Sequence, residues 1–76
     1  MRKASLTEVQ QRALVAVEAL DSGDTRFFEN EKNWIGTGMF VDALERGWIL
    51  SVTLLGEKSL TLTPAGRKTL EEARNG

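Results

Sequence analysis

The stretch Phe40-Val41-Asp42-Ala43-Leu44-Glu45-Arg46-Gly47-Trp48-Ile49 changes its hydrophobic period at the glycine, and that change decides how the chain is read. Before Gly47 the apolar residues recur as on a helix; after it they alternate as on a strand. A helix is predicted from Thr37 to Arg46, with Thr37 as N-cap and Gly47 just past its end, where a positive φ closes a helix. On its wheel Phe40, Val41 and Leu44 share a face, with Ala43 at the edge. Gly38, Met39, Asp42, Glu45 and Arg46 lie opposite and are expected to point outward.

Beyond Gly47, alternation puts Trp48, Leu50, Val52 and Leu54 on one side and Ile49, Ser51 and Thr53 on the other. Gly56-Glu57-Lys58 signals a turn, and Ser59 to Thr63 alternates again, so the two runs read as a β-hairpin. Thr63-Pro64 then opens a last helix, with threonine as cap and proline where its missing N–H costs nothing. Leu70 and Ala73 suit docking on the core, while Arg67, Lys68, Glu71, Glu72 and Arg74 suit solvent.

Upstream, Leu6, Val9, Ala13, Val17 and Leu20 recur at three- and four-residue spacing, with Leu14 widening the stripe of an amphipathic helix. Ser5 and Glu8 have capping-box spacing, and Ser22-Gly23-Asp24 is a stop. Residues 24 to 36 are hard to read. Thr25 to Phe28 suits a short strand or a helical turn with both phenylalanines inside, and Glu29 to Asn33 suits a loop or a short exposed helix. The order helix, short element, helix, hairpin, helix predicts a single α+β domain over residues 1 to 76, with a three-helix core.

Composition narrows the chemistry. With no cysteine and no histidine, the chain lacks disulfides, thiolate metal sites and the commonest general base and metal ligand. No serine or threonine has an evident base, and the adjacent Glu71 and Glu72 point apart on a helix, so no enzyme and no cofactor is expected. Gly36-Thr37-Gly38 lacks the rest of any phosphate-binding pattern and reads as loop plus cap. No apolar run reaches the roughly 20 residues of a membrane span. The basic start, Met1 to Ser5, precedes an amphipathic segment and not an apolar one, so a cytoplasmic location without a signal peptide is expected.

Two motifs carry a resemblance. Phe40 to Ile49 resembles the end of the recognition helix in MarR-like and PadR-like winged-helix regulators, where leucine, a charged pair, glycine and two apolar residues lead into the wing. Leu60 to Ala73 resembles their wing-to-last-helix junction, with its Leu-Thr-Pro-x-Gly-Arg pattern. The resemblance implies a small winged helix: three core helices, a two-stranded hairpin wing and a C-terminal helix. It also implies duplex DNA as partner, read by the outward helix face and the hairpin tip, as in a bacterial or phage transcriptional regulator. Lys32, Thr37, Met39, Asp42, Arg46 and Lys58 are then the candidate contacts, with Arg2 and Lys3 at the terminus.

Charge argues the other way. The chain carries 10 basic and 11 acidic residues, a net of −1, whereas nucleic-acid binders usually carry a basic excess. Asp42 and Glu45 oppose a single Arg46 on the expected reading face, and Lys58 sits beside Glu57. The alternative is a winged-helix module that binds a protein, such as a small phage-encoded inhibitor or adaptor, or a homodimer. Met39 fits either a protein contact or cover by the preceding loop. Trp34 and Trp48 read as core, with base stacking or interface anchoring as the functional alternative.

Overall fold

The computed structural model describes residues 6–75. Its elements are α1 (Glu8–Asp21), α2 (Thr25–Ile35), α3 (Gly38–Glu45), β1 (Ile49–Leu54), β2 (Glu57–Leu62) and α4 (Pro64–Asn75). This is an α+β order, helices around a two-stranded antiparallel hairpin, and it is compatible with a winged helix. The core is one cluster built on Leu14 and Val17 of α1, Phe28, Phe40, Ile49, Leu62 and Leu70, so every element contributes to it. The Phe28 and Phe40 rings meet at 5.5 Å between centroids, tilted by 58°, within the range where edge-to-face pairs are favourable.

Local backbone chemistry sets the element ends. Thr7 caps α1: its hydroxyl accepts from Gln10 N–H at 3.1 Å, and the Gln10 side chain accepts from Thr7 N–H at 3.0 Å. The capping box therefore lies two residues after the expected Ser5–Glu8 pair; Glu8 is the first helical residue, and Ser5 lies outside the described residues. At the other end Gly23 N–H donates to Leu20 and Asp24 N–H to Ala19, and Gly23 has φ +91°. That double bond with a left-handed residue between is a Schellman stop. Asp24 at once caps α2, accepting from Phe27 N–H at 3.0 Å. The stretch that reads ambiguously is thus one continuous helix of 11 residues.

Gly47 repeats the stop at α3. Its φ is +79°, its N–H donates to Leu44 and Trp48 N–H donates to Ala43. Thr63 then clamps the exit of β2 onto the same spot. Its N–H donates to the Trp48 carbonyl, its hydroxyl donates to the Gly47 carbonyl, and the same hydroxyl accepts from Gly66 N–H. Gly66 packs so close to Trp48 that an added Cβ would fall 1.8 Å from its carbonyl oxygen.

Two helical phases, in α3 and α2, differ from the sequence expectation. In α3, Phe40 and Ala43 are buried, while Val41 is 52 % and Leu44 37 % exposed. The wheel is rotated by about one residue, roughly 100°. Met39 consequently packs against the core and does not face outward. In α2, Phe28 is buried, Phe27, about 100° earlier, is only partly covered at 38 % exposure, and Trp34, six residues on, stands 69 % exposed away from the core. Trp48 does pack on the core, as expected.

At the start of the hairpin the Ile49 side of β1 faces inward, whereas Ser51 and Thr53 further along it are exposed. Ile49 is buried and Leu50 is 53 % exposed. The register explains it: Ile49 pairs with Leu62 and Ser51 with Leu60, so β2 supplies the bulk that β1 lacks. The turn is Leu55-Gly56, one residue before the expected start, and Glu57 and Lys58 are inside β2. Leu55 has φ +53° and Gly56 φ +83°, the two positive values of a type I′ hairpin turn.

Candidate partner-binding surface

The rotation of α3 creates the surface. Because Phe40 and Ala43 fill the core side, Val41 and Leu44, three residues apart, form an apolar ridge on the exposed flank. The ridge borders an open groove of about 420 Å³ between α2, α3 and the inward side of the hairpin. Phe28 and Phe40 line it from the helices and Leu60 from β2. Lys32, at the end of α2, and Lys58, on β2, also line it, as does Thr37.

Six candidate residues from the sequence therefore separate into three places. Lys32, Thr37 and Lys58 meet at the groove. Asp42 and Arg46 lie together on the far flank of α3, joined by an ion pair of 2.8 Å one helical turn apart. The Arg46 guanidinium also lies 5.3 Å over the Trp48 ring. Met39 belongs to the core side. Arg2 and Lys3 lie outside the described residues. Thr37 occupies the N-cap position without capping: at φ −78°, ψ −22° it is already helical and its side chain makes no cap bond. A capping hydroxyl needs an extended backbone to reach back to the first turn, so Thr37 Oγ1 is left to the groove.

The electrostatics are local and modest. Lys32 Nζ lies 3.6 Å from Glu29 and 5.7 Å from the Phe28 ring centroid. Lys58 makes no ion pair among the described residues. On the groove, then, two lysines face one glutamate. Elsewhere Arg12, Arg46 and Arg74 are tied down, while Arg26, Arg67 and Lys68 make no ion pair among the described residues. Arg12 grips Glu31 with two nitrogens, at 3.0 and 3.3 Å, and lies 4.3 Å over the Trp34 ring. Arg74 grips Glu18 across α4 and α1 at 2.6 Å, so it does more than face solvent. Those carboxylates hold both guanidiniums above their ordinary pKa.

Trp34 is thus an exposed aromatic already covered on one face by Arg12, whereas Val41 and Leu44 have no such cover. These two were missed by sequence reasoning because they were assigned to the core. The signal that identifies them is Gly47. With Gly47 just past the cap, Ala43 is the residue whose carbonyl receives the Trp48 N–H, and in such a stop the residues at these two positions commonly pack on the same apolar surface, as Ala43 and Trp48 both do on the core. No helix among the described residues is long and apolar enough to cross a membrane. Comparison of the chain with models of known protein families, with curated proteins and with solved structures finds no match.

Proposed function

We propose that this chain is a winged-helix module whose α3–hairpin surface binds a protein. The observation that carries this reading is the outward side of α3: exposed Val41 and Leu44, with Glu45 beside them and the one arginine engaged by Asp42. A helix that reads DNA needs donors for base edges and phosphates, and Arg, Lys, Asn and Gln are the usual sources. A free carboxylate and two aliphatic side chains supply none. Protein interfaces, by contrast, are depleted of charge at their centre and are closed by apolar contacts. The winged-helix frame itself rests on the two motif resemblances and a compatible order of elements, and such a frame does not dictate the partner.

The DNA-binding regulator remains the second reading, favoured by the meeting of Lys32, Thr37 and Lys58 at one groove. Contact through Lys32, Lys58 and Arg46 would neutralise about three phosphates and give a log K against log salt slope near −3. Two measurements decide. In a mobility-shift titration of random duplex at low ionic strength, no salt-sensitive complex is expected. A complex with that slope, flattened by about one unit in Lys58→Ala, replaces the protein reading with the DNA reading. In living cells that make the chain, a photo-cross-linking amino acid in place of Glu45 should give a discrete protein adduct that Leu44→Asp removes. Adducts indifferent to Leu44→Asp reject the proposed surface.

A further inference from the structure

Resting on that protein-binding reading, we infer that the segment seated in the groove is an acidic amphipathic helix. Shape is the first reason. Val41 and Leu44, at i and i+3 on one flank of α3, make a ridge, and a ridge of this spacing interlocks with the corresponding ridge of a second helix. Apolar side chains projecting at i, i+3, i+4 and i+7 from such a helix reach the groove wall made by Phe28, Phe40 and Leu60.

Charge is the second reason, and it is independent of shape. The charged groups lining the groove are Glu29 and Lys32 from α2 and Lys58 from β2; Glu45 of α3 stands outside the lining, beside the Val41–Leu44 ridge. The groove is therefore net positive by one charge on a chain whose total is −1. The Lys32–Glu29 separation of 3.6 Å exceeds the usual hydrogen-bond distance. Lys32 can exchange this loose contact for a partner's carboxylate without losing a good bond. Lys58 has no ion pair to lose among the described residues. A helix with glutamates or aspartates flanking its apolar stripe meets both lysines; a basic helix meets repulsion from both. The chain's own exposed helix α4 presents Arg67, Lys68, Glu71 and Arg74 outward and lacks the apolar stripe, so α4 of a second copy does not provide the occupant; self-association that Leu44→Asp abolishes would instead seat a second copy's α3 there and overturn the inference.

The test uses the whole chain and a displayed library of 14-residue peptides with fixed apolar residues at helical spacing and randomised flanks. Selection should enrich Asp and Glu in the flanks. An enriched peptide, resynthesised with a fluorophore, should shift the amide resonances of Phe28, Val41, Leu44 and Leu60 and bind with affinity that falls as salt rises. Each of Lys32→Glu and Lys58→Glu, checked for an unchanged far-UV spectrum, should weaken it roughly two- to fivefold. The double variant should prefer the Lys-flanked version of the same peptide. No enrichment, enrichment of basic flanks, shifts mapping elsewhere, or no reversal by the double variant each overturns the inference. If the Leu44-dependent cross-link persists while these fail, the protein-binding reading stands and only the acidic helix falls. If the cross-link is absent too, both fall.

Discussion

The C-terminal end of α3 and its exposed flank solve opposite problems. At its C-terminal end Gly47, Trp48, Thr63 and Gly66 knit three elements together through three hydrogen bonds among themselves, with no space at Gly66 for one more carbon. Along its exposed flank Val41 and Leu44, each partly covered by its own chain, keep apolar surface open to a groove. The first region is closed because its polar groups are satisfied inside the molecule, and leaving any of them unpaired would cost the full desolvation penalty. The second is open because apolar surface can await a partner, at the cost of the burial it forgoes. In a chain of 76 residues, which buries a smaller share of its surface than a larger domain, that forgone burial is a sizeable fraction of the stability available. Stability and binding are thus placed on separate sides of one eight-residue helix.

Gly66→Ala tests the closed end most severely. The new Cβ would sit 1.8 Å from the Trp48 carbonyl oxygen and 2.6 Å from its carbon, both backbone atoms that cannot swing aside. The loss should exceed about 4 kcal/mol, the range reserved for severe lesions. Denaturant titration that finds a loss under about 1 kcal/mol would show that the junction yields, and the contrast with the groove would lose its basis.

A pair of leucine truncations compares core and flank directly. Leu70→Ala removes a fully buried side chain from α4 and should cost about 2–5 kcal/mol. Leu44→Ala, which the helical wheel alone would place in the same class, should cost below about 1 kcal/mol because Leu44 is already solvated on its groove side. Equal losses in urea would put Leu44 back in the core and remove the exposed ridge.

Gly47→Ala is expected to be smaller than Leu70→Ala. No atom lies within 4 Å of the added Cβ, so sterics with neighbours are absent and only the φ of +79° opposes it. A left-handed L-residue costs roughly 1–2 kcal/mol. A loss of that size, rising further in Gly47→Val because a β-branched side chain is more strained at positive φ, would identify backbone strain as the cause, since no neighbour lies within reach of the added Cβ.

How much of this could be read from the chain alone follows the same division. The stops at Gly23 and Gly47 and the Thr63-Pro64 start are visible because each depends on a few adjacent residues and on φ signs fixed by covalent geometry. The α+β order follows from those punctuation marks and the change of period. Phase is another matter. In α3 apolar residues occupy 39, 40, 41, 43 and 44, most of the circumference, so no single stripe stands out and the tertiary partner selects the face. In β1 both sides carry aliphatic residues, and only pairing with β2 decides which is inward. Within α2 the polar run Glu29 to Asn33 hides a helix whose N-cap, Asp24, is readable once Phe27 is seen as its third residue. Of the candidate site, Lys32, Thr37 and Lys58 are legible as surface polar residues, but their meeting is a property of the assembled fold.

The smallest expected effect lies at the hairpin tip, and its sign is the informative part. Leu55 is 99 % exposed and has φ +53°. Both features are unfavourable for leucine: the side chain buries nothing, and a left-handed backbone is strained for a residue with a Cβ and no local hydrogen bond to offset it. Asparagine suits the first central position of a type I′ turn, because its short polar side chain tolerates that conformation. Leu55→Asn should therefore stabilise the isolated chain by about 0.5–1 kcal/mol. For a domain of this size that corresponds to a rise in Tm of roughly 2–8 °C. Calorimetry on the two proteins under identical conditions reads the difference. A fall in Tm would mean that Leu55 makes a contact within the chain, so that the tip, like the Gly66 junction, is closed. A rise would class it with the α3 flank, as apolar surface held out in water against the interest of the isolated chain.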